Sequence, residues 1–365
     1  MKILCFTDGL SSGGAERQLI GLCHYLQAMG YDVELLSYVK RDFYEDLIRD
    51  KGLRHMCLDV KGGKIRKFFA VLKYINKGKY DYVIAFKPGA TFSTCIMKAF
   101  GRINHLIVSE RNTNTRKSVR DDIKFFLYKF ADHIVPNSYA QETFIKKNYP
   151  VLSSKITTIT NFTDTDYFKP VPNIQETGDR LKLLVVAKIS PQKNILKFLE
   201  VVKKLKENSI PISIKWYGSV SGKENAYEEE CYRKWHEYQL EDYISFLPAT
   251  RKILEEYQTC DVFCLPSIYE GYPNVVCEAM SCGKPILCSR VCDNHLIVEE
   301  GVNGSMFDPK EIDDMYNTII SFVKLPEDAK KEMGQNSRKI ALEKFSPTAF
   351  VENYIKLLDN NAQNL

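Results

Sequence analysis

The sequence predicts an α/β protein of two Rossmann-like, doubly wound parallel-sheet domains facing across a cleft. Three observations predict it. Short apolar runs of strand length alternate with amphipathic stretches of helix length, as βα units with a sheet buried on both faces require. The alternation restarts at residue 181, after a polar stretch over 164–180 that holds Pro170 and Pro172. The length of 365 residues also favours two hydrophobic cores over one.

In the first half, strands are expected over residues 2–6, 32–37, 82–86, 106–108 and 133–136. The loop over 11–17, Ser-Ser-Gly-Gly-Ala-Glu-Arg, opens a helix. Leu19, Leu22, Cys23 and Leu26 give that helix an apolar face, and Gly30 ends it. In the second half, strands are expected over 181–187, 212–217, 244–247, 261–265 and 285–288. Ile195, Phe198, Leu199, Val202 and Leu205 mark the first helix there. The chain is helical from about residue 310, Pro347 interrupts it, and a last helix covers roughly 348–358.

Hydrophobic residues at 44% and charged residues at 27% fit a soluble globular protein. The eleven cysteines are scattered over strands and strand ends, so small buried thiols in a reducing compartment are favoured over a zinc site. The start reads as a first strand rather than a secretory leader, and no run approaches the length of a membrane span. Charge is uneven: residues 1–170 carry 27 Lys and Arg against 17 Asp and Glu, whereas the remainder carries 24 against 29. A basic half points to an anionic partner, and without a nucleic-acid-binding motif no nucleic acid is expected. The densest basic stretch spans 61–79. There Ile65, Phe68, Phe69, Leu72 and Ile75 have the spacing of a core-facing stripe, with lysines in water and the basic edge near lipid. A helix lying on an anionic bilayer is the competing reading.

The most informative chemistry lies in residues 267–285, SIYEGYPNVVCEAMSCGKP. A buried strand feeds a Gly-containing loop, and the loop feeds a helix that Pro273 suits as first residue and Gly283 as terminator. Free N–H groups and the positive end of the helix dipole converge there on one anion-sized spot. Glu270 sits beside it, and Glu278 lies about a turn and a half deeper. A ligand with both phosphates and hydroxyls satisfies this set, which suggests a nucleotide sugar.

The register of Ser267, Glu270, Gly271, Pro273, Glu278, Ala279, Gly283 and Pro285 resembles that of glycosyltransferase family 4, the retaining GT-B sugar transferases. The resemblance implies the GT-B fold: an acceptor-side domain over 1–165, a nucleotide-sugar domain over 166–346, and a last helix, 347–365, that packs back on the first domain. It implies that Glu270 faces the donor sugar's hydroxyls and Glu278 the ribose, with Gly271, Tyr272, Pro273 and Asn274 around the donor. Lys188 and Lys193, at a strand end before a helix, suit a pyrophosphate. The family usually carries Arg, then Lys five residues on; here Lys188 replaces the Arg and loses its bidentate fork. Gly14, in Gly-Gly-Ala-Glu-Arg, and Gly218, at the end of a strand, are the remaining donor-side candidates.

Acceptor-side candidates are Glu16, Arg17, Glu110 and Arg111; a surface helix position or a salt-bridged loop would account for them equally. The sequence Ser109-Glu110-Arg111-Asn112 resembles a subset acting on bacterial surface glycans and stands where many family members carry a histidine. His105 lies at the wrong end of its strand to replace it, so no catalytic histidine is carried over. Pro248-Ala249 also stand where a glycine usually follows the strand.

The resemblance implies transfer of a hexose or N-acetylhexosamine, with retained configuration, from a UDP-sugar to a lipid-linked saccharide in surface-polysaccharide synthesis such as lipopolysaccharide or capsule. It would take place in the cytoplasm at the inner membrane face. No divalent metal is expected, because no Asp-x-Asp appears where a metal-bound diphosphate would need one. A nucleotide-sugar epimerase and a non-catalytic glycan-binding or assembly subunit are the rivals on this architecture. Intact Glu270, Glu278 and Lys193 count against the subunit, and a dinucleotide oxidoreductase lacks its G-x-G-x-x-G fingerprint.

Overall fold

The computed structural model describes residues 1–11, 13–41, 43–111, 114, 116–171, 179–218, 226–250 and 252–362. The chain divides into two compact units, Met1–Phe162 with Pro347–Leu365, and Thr163–Ser346. In the first, β1 (Lys2–Gly9), β2 (Asp32–Val39), β3 (His55–Cys57), β4 (Tyr82–Phe86), β5 (His105–Glu110) and β6 (His133–Pro136) form one sheet. The order is β3-β2-β1-β4-β5-β6, and every pair is parallel. Its helices are α1 (Gly14–Ala28), α2 (Glu45–Asp50), α3 (Lys64–Gly78), α4 (Pro88–Ala99), α5 (Val119–Leu127) and α6 (Tyr139–Asn148).

The second unit repeats the plan. Strands β7 (Leu181–Val186), β8 (Ile212–Gly218), β9 (Ile244–Pro248), β10 (Val262–Leu265), β11 (Ile286–Ser289) and β12 (Gly304–Phe307) lie in the order β12-β11-β10-β7-β8-β9, again all parallel. Its helices are α7 (Ile195–Glu207), α8 (Ala226–Glu237), α9 (Ile253–Thr259), α10 (Asn274–Ser281), α11 (Asn294–Ile297), α12 (Ile312–Val323) and α13 (Glu327–Lys344). A final helix, α14 (Pro347–Ala362), returns to the first unit; the helical run is interrupted after Lys344, as expected, and Pro347 is the first residue of the new helix. In both sheets the strand order reverses beside the first strand, between β1 and β4 and between β7 and β10. At such a reversal the connecting loops part and leave a crevice at the strands' carboxyl ends.

Strands β4 and β6 have the bounds their apolar runs predict. Strands β3 and β12, three and four residues long, are additions, and β5 continues two residues further through Ser109 and Glu110, both buried. Pro248 falls inside edge strand β9, where a missing N–H costs no internal ladder bond. The polar stretch after residue 163 belongs partly to the second core: Phe168 is buried, and Arg338 donates to the carbonyls of Thr165, Phe168 and Ser281. Residues 172–178 of that stretch lie outside the described residues.

Helix α3 corrects its predicted face. Val71 and Ile75 are its buried residues, with Phe68 and Leu72 partly covered. Ile65 and Phe69, expected in the core, are 75% and 61% exposed.

Arg111, for which the sequence left an acceptor contact and a paired loop residue equally open, is turned inward. Its Nη1 donates to Asn161 Oδ1 and its Nη2 to the Tyr354 hydroxyl of α14, both at 2.8 Å. The guanidinium lies 4.3 Å from the Phe86 ring centroid. Burial lowers the Arg111 pKa, and the interaction with Tyr354 opposes that fall. Beside it, Phe350, Val351, Tyr354 and Leu358 join the core formed by α1 and one sheet face, and the Tyr82 hydroxyl donates to Leu358 O at 2.7 Å. Arg111 therefore staples α14 to the carboxyl end of β5. Arg111→Ala should destabilise the first unit by about 1.5–3 kcal/mol, the range for hydrogen bonds to charged groups. Arg111→Lys should not restore it, because one ammonium cannot span both acceptors and the ring. An unchanged urea midpoint for Arg111→Ala would remove the staple.

Candidate functional site

In the second unit the crevice is bounded by the loops that follow β7 and β10. The β7 loop ends in a single 3-10 turn, Pro191–Lys193, and Asn194 then adopts φ +61° at the start of α7. Asn194 is held there by its Nδ2, which donates to Pro309 O at 2.7 Å. Two bonds zip the loops together: Ile268 N donates to Gln192 O at 2.8 Å, and Gln192 Nε2 donates to Tyr269 O at 2.9 Å. This sets Lys193 Nζ 2.5 Å from Glu270 Oε1, with side chains 17% and 8% exposed. Lys188 stands exposed just beyond β7.

Downstream of Glu270, Gly271 and Tyr272 lead to α10, which Pro273 precedes in extended conformation and no side chain caps. Helix α10 therefore begins at Asn274, one residue later than expected. It ends as expected at Gly283, with φ +73°: Gly283 N donates to Met280 O and Lys284 N to Ala279 O. Glu278 is 3% exposed and accepts from the Tyr257 hydroxyl at 3.0 Å. Gly218 closes β8 so tightly that a Cβ there would sit 2.2 Å from Ala187 O, so its place is fixed by backbone approach.

The first unit has a corresponding cluster at its own strand-order reversal. Glu16, in the first turn of α1, is 2% exposed and not on the surface. Its carboxylate accepts from Ser11 Oγ at 2.5 Å and pairs with Lys87 Nζ, which follows β4. A Cβ on Gly13 would meet Glu16 Oε2 at 2.4 Å, which explains the first glycine of the pair. Gly14 is the exposed first residue of α1, and Arg17 is half-buried. Lys87 has φ +75° and ψ 153°. That region is essentially reserved for glycine and costs a side-chain-bearing residue on the order of 1–3 kcal/mol. Next to it, Asp8 accepts from Gly89 N at 3.2 Å and from the Tyr38 hydroxyl at 2.8 Å. Burial and the Asp8 charge push Tyr38 well above the usual phenol range, so it stays a donor. Glu110 is 4% exposed, and Lys124 Nζ lies 2.5 Å from its carboxylate. Burial raises the Glu110 pKa against that attraction.

Residues 170–340 match the model of the family described as glycosyl transferases group 1, and residues 12–167 match that of glycosyltransferase family 4. The chain belongs to glycosyltransferase family 4. Among relatives of this glycosyltransferase is the Escherichia coli UDP-Gal:alpha-D-GlcNAc-diphosphoundecaprenol alpha-1,3-galactosyltransferase, 24% identical over 312 residues, which are 80% of this chain and 79% of the relative. Another is the Erwinia amylovora amylovoran biosynthesis glycosyltransferase AmsD, 24% identical over 78% of this chain and 80% of the relative. The fold matches Anabaena Alr3699/HepE crystallised with UDP-glucose: TM-score 0.86 at 19% identity, over 99% of this chain and 100% of that one. The GT-B fold and glycosyltransferase activity follow.

Within this family 4 member, Lys193, Glu270, Gly271, Tyr272, Pro273 and Asn274 come together at one crevice, with Gly218 and Lys188 at neighbouring strand ends. Three of the acceptor-side candidates lie in internal pairings, the alternative that the sequence left equally open for Glu110 and Arg111. Glu16 and Glu110 are turned into buried ion pairs, Arg111 is in the staple, and Asn112 lies outside the described residues. The single-sequence reading missed Lys87, Gln192 and Tyr257. The only sequence trace of Lys87 is a lysine before Pro-Gly at the end of an apolar run. Among the described residues no three His, Cys, Asp or Glu side chains converge as a metal set, and Asp164, of Asp164-Thr165-Asp166, accepts from Tyr167 N at 3.0 Å.

Lys87→Ala leaves the Glu16 carboxylate buried without its cation, and breaking a buried pair in this way costs about 3–5 kcal/mol. Adding Glu16→Gln should recover most of that loss. Additive effects of the two substitutions in chemical unfolding would contradict the pairing.

Proposed function

We propose that this glycosyltransferase moves a hexose or N-acetylhexosamine from a UDP-sugar to a lipid-linked saccharide, with retention of anomeric configuration, in bacterial surface-polysaccharide synthesis. One observation carries the donor half of this reading: Lys193 and Glu270 are locked together beside the uncapped start of α10. A diphosphate seated there meets the lysine charge and the helix N–H groups. Both stabilise the negative charge that grows as the sugar leaves, and such preorganised stabilisation is commonly the largest catalytic contribution. Lys188 supplies a second cation from the β7 end. Glu270 orients the sugar's hydroxyls, and Glu278 serves the ribose once Tyr257 shares its carboxylate. No protein nucleophile is proposed; Glu270 and Glu278 are both committed to donor binding rather than forming a hydrolase pair.

The acceptor half rests on the relatives and on charge. The E. coli relative is named for a diphosphoundecaprenol acceptor, and a Campylobacter jejuni relative, 24% identical over 80% of this chain, for a diphospho-undecaprenol one. The first 170 residues hold the chain's positive excess. Among the described residues no helix is long and apolar enough to cross a membrane. The proposal therefore places the enzyme peripherally on an anionic inner membrane face, with its first unit serving the acceptor and its second the nucleotide sugar. It includes no metal requirement, so chelation with EDTA should leave turnover unchanged.

Lys193→Ala should lower kcat by about 10²–10³ while the melting temperature stays close to wild type, the magnitude seen when one such donor is removed. UDP should raise the melting point of the wild-type protein, since a ligand bound only by the native state stabilises it. Wild-type turnover by Lys193→Ala would sink the leaving-group role. Product analysis that found an epimerised nucleotide sugar without acceptor would replace transfer by epimerisation.

A further inference from the structure

Three helices of the first unit, α3, α4 and α5, cover the same sheet face: Val71, Ile75, Ala90, Cys95, Phe125 and Tyr128 share one core with the strands beneath. Each carries apolar residues that this core does not use. On α3, exposed Ile65 and Phe69 follow a four-and-three spacing that ends at Leu72, which itself packs against the core. On α5, Val119, Ile123 and Phe126 repeat it and are 75%, 53% and 56% exposed. Both second stripes lie roughly 100–160° round their helices from the core stripe, in the same sense. Each helix connects one parallel strand to the next, so α3, α4 and α5 run in the same direction over the sheet. Equal offsets on helices of equal direction turn the stripes the same way. Phe92, 46% exposed on α4, falls on the same flank.

The charge around the stripes is mostly positive; exposed Asp122, four residues before Phe126, is paired with Lys117 at 3.0 Å. Residues 51–130 carry 18 Lys and Arg against 5 Asp and Glu. Arg66, Lys73 and Lys77 are exposed on α3, beside its stripe, and Arg120 is exposed on α5. The Lys129 ammonium lies 4.9 Å from the Phe126 ring centroid, an apolar stem and a charged tip laid along an exposed aromatic. Large apolar side chains flanked by cations suit an interface of hydrocarbon beneath anionic headgroups. They suit a second copy of the chain poorly, because a two-fold contact would bring the same cations together.

We infer that the outer flank of α3, α4 and α5 is a bilayer-docking surface, in which Ile65, Phe69, Ile123 and Phe126 enter the headgroup–acyl boundary while Arg66, Lys73 and Arg120 hold anionic lipid. This deepens the peripheral-membrane reading above, replacing general attraction of a basic half by a defined face with an apolar component.

The test is flotation of the full chain with phosphatidylglycerol/phosphatidylcholine vesicles and with pure phosphatidylcholine vesicles. The pairs Ile65→Ser/Phe69→Ser and Ile123→Ser/Phe126→Ser leave net charge unchanged. Each should lower the partition constant about tenfold or more, as loss of buried apolar area predicts, with melting temperature retained because the sites are exposed. Arg66→Gln/Lys73→Gln should instead flatten the salt dependence. Apolar pairs that float like wild type would overturn the inference, as would a wild-type chain that ignores anionic vesicles at low salt. A solution dimer that the serine pairs dissociate would also overturn it, in favour of self-association. Flotation needs no substrate, so absence of transfer with every UDP-sugar would sink the function reading without touching this one. Transfer to a water-soluble, short-chain diphosphate-linked saccharide should stay at the wild-type rate in both serine pairs.

Discussion

In each unit a nearly buried carboxylate faces a single lysine across the break in strand order, and the geometry of both crevices hangs on that pairing. Lys193 and Glu270 close the gap between the β7 and β10 loops; Lys87 and Glu16 close the one between β1 and β4. The signs are exchanged. In the second unit the cation follows the first strand and the carboxylate the fourth, whereas in the first unit the lysine follows the fourth. A carboxylate removed from water demands a partner, so each pair constrains two loops that the sheet itself would leave apart. The loops' remaining features serve the same end: Asn194 in a left-handed turn, Gln192 bridging to Tyr269, Gly13 leaving room for the Glu16 carboxylate.

That constraint has a chemical consequence. A cation held by a carboxylate is already positioned before any ligand arrives, so binding need not order a flexible lysine. Under the proposed function, an incoming diphosphate would share Lys193 with Glu270, and Glu270 would be freed in part toward sugar hydroxyls. The uncapped start of α10 supplies N–H groups at the same place. In the first unit the strain at Lys87 plays a comparable part, since a backbone that only glycine adopts easily is kept to deliver one ammonium to Glu16.

Much of this was legible in the residues. The apolar runs over 82–86 and 133–136 became strands with those bounds, and the motif around Glu270 landed at a strand-order reversal, with Gly283 ending its helix as its position implied. What was not legible depended on contacts between distant residues. Nothing near Arg111 announces Tyr354, which lies 243 positions on, and no local pattern reveals the positive φ of Lys87. Ile65 and Phe69 were placed in the core because their spacing fits a core stripe. Helix α3 carries two such stripes, and only its seating through Val71 and Ile75 decides which is buried. Strands β3 and β12 were missed because three or four residues carry too little pattern to separate from loop.

The most direct examination of the central claim is a crystal structure of the protein with a UDP-sugar bound. The account predicts Lys193 Nζ and the Gly271 amide within hydrogen-bonding distance of the diphosphate oxygens, with Glu270 against the sugar. A well-ordered donor whose diphosphate lies away from both groups, with the Lys193–Glu270 pair undisturbed, would contradict it.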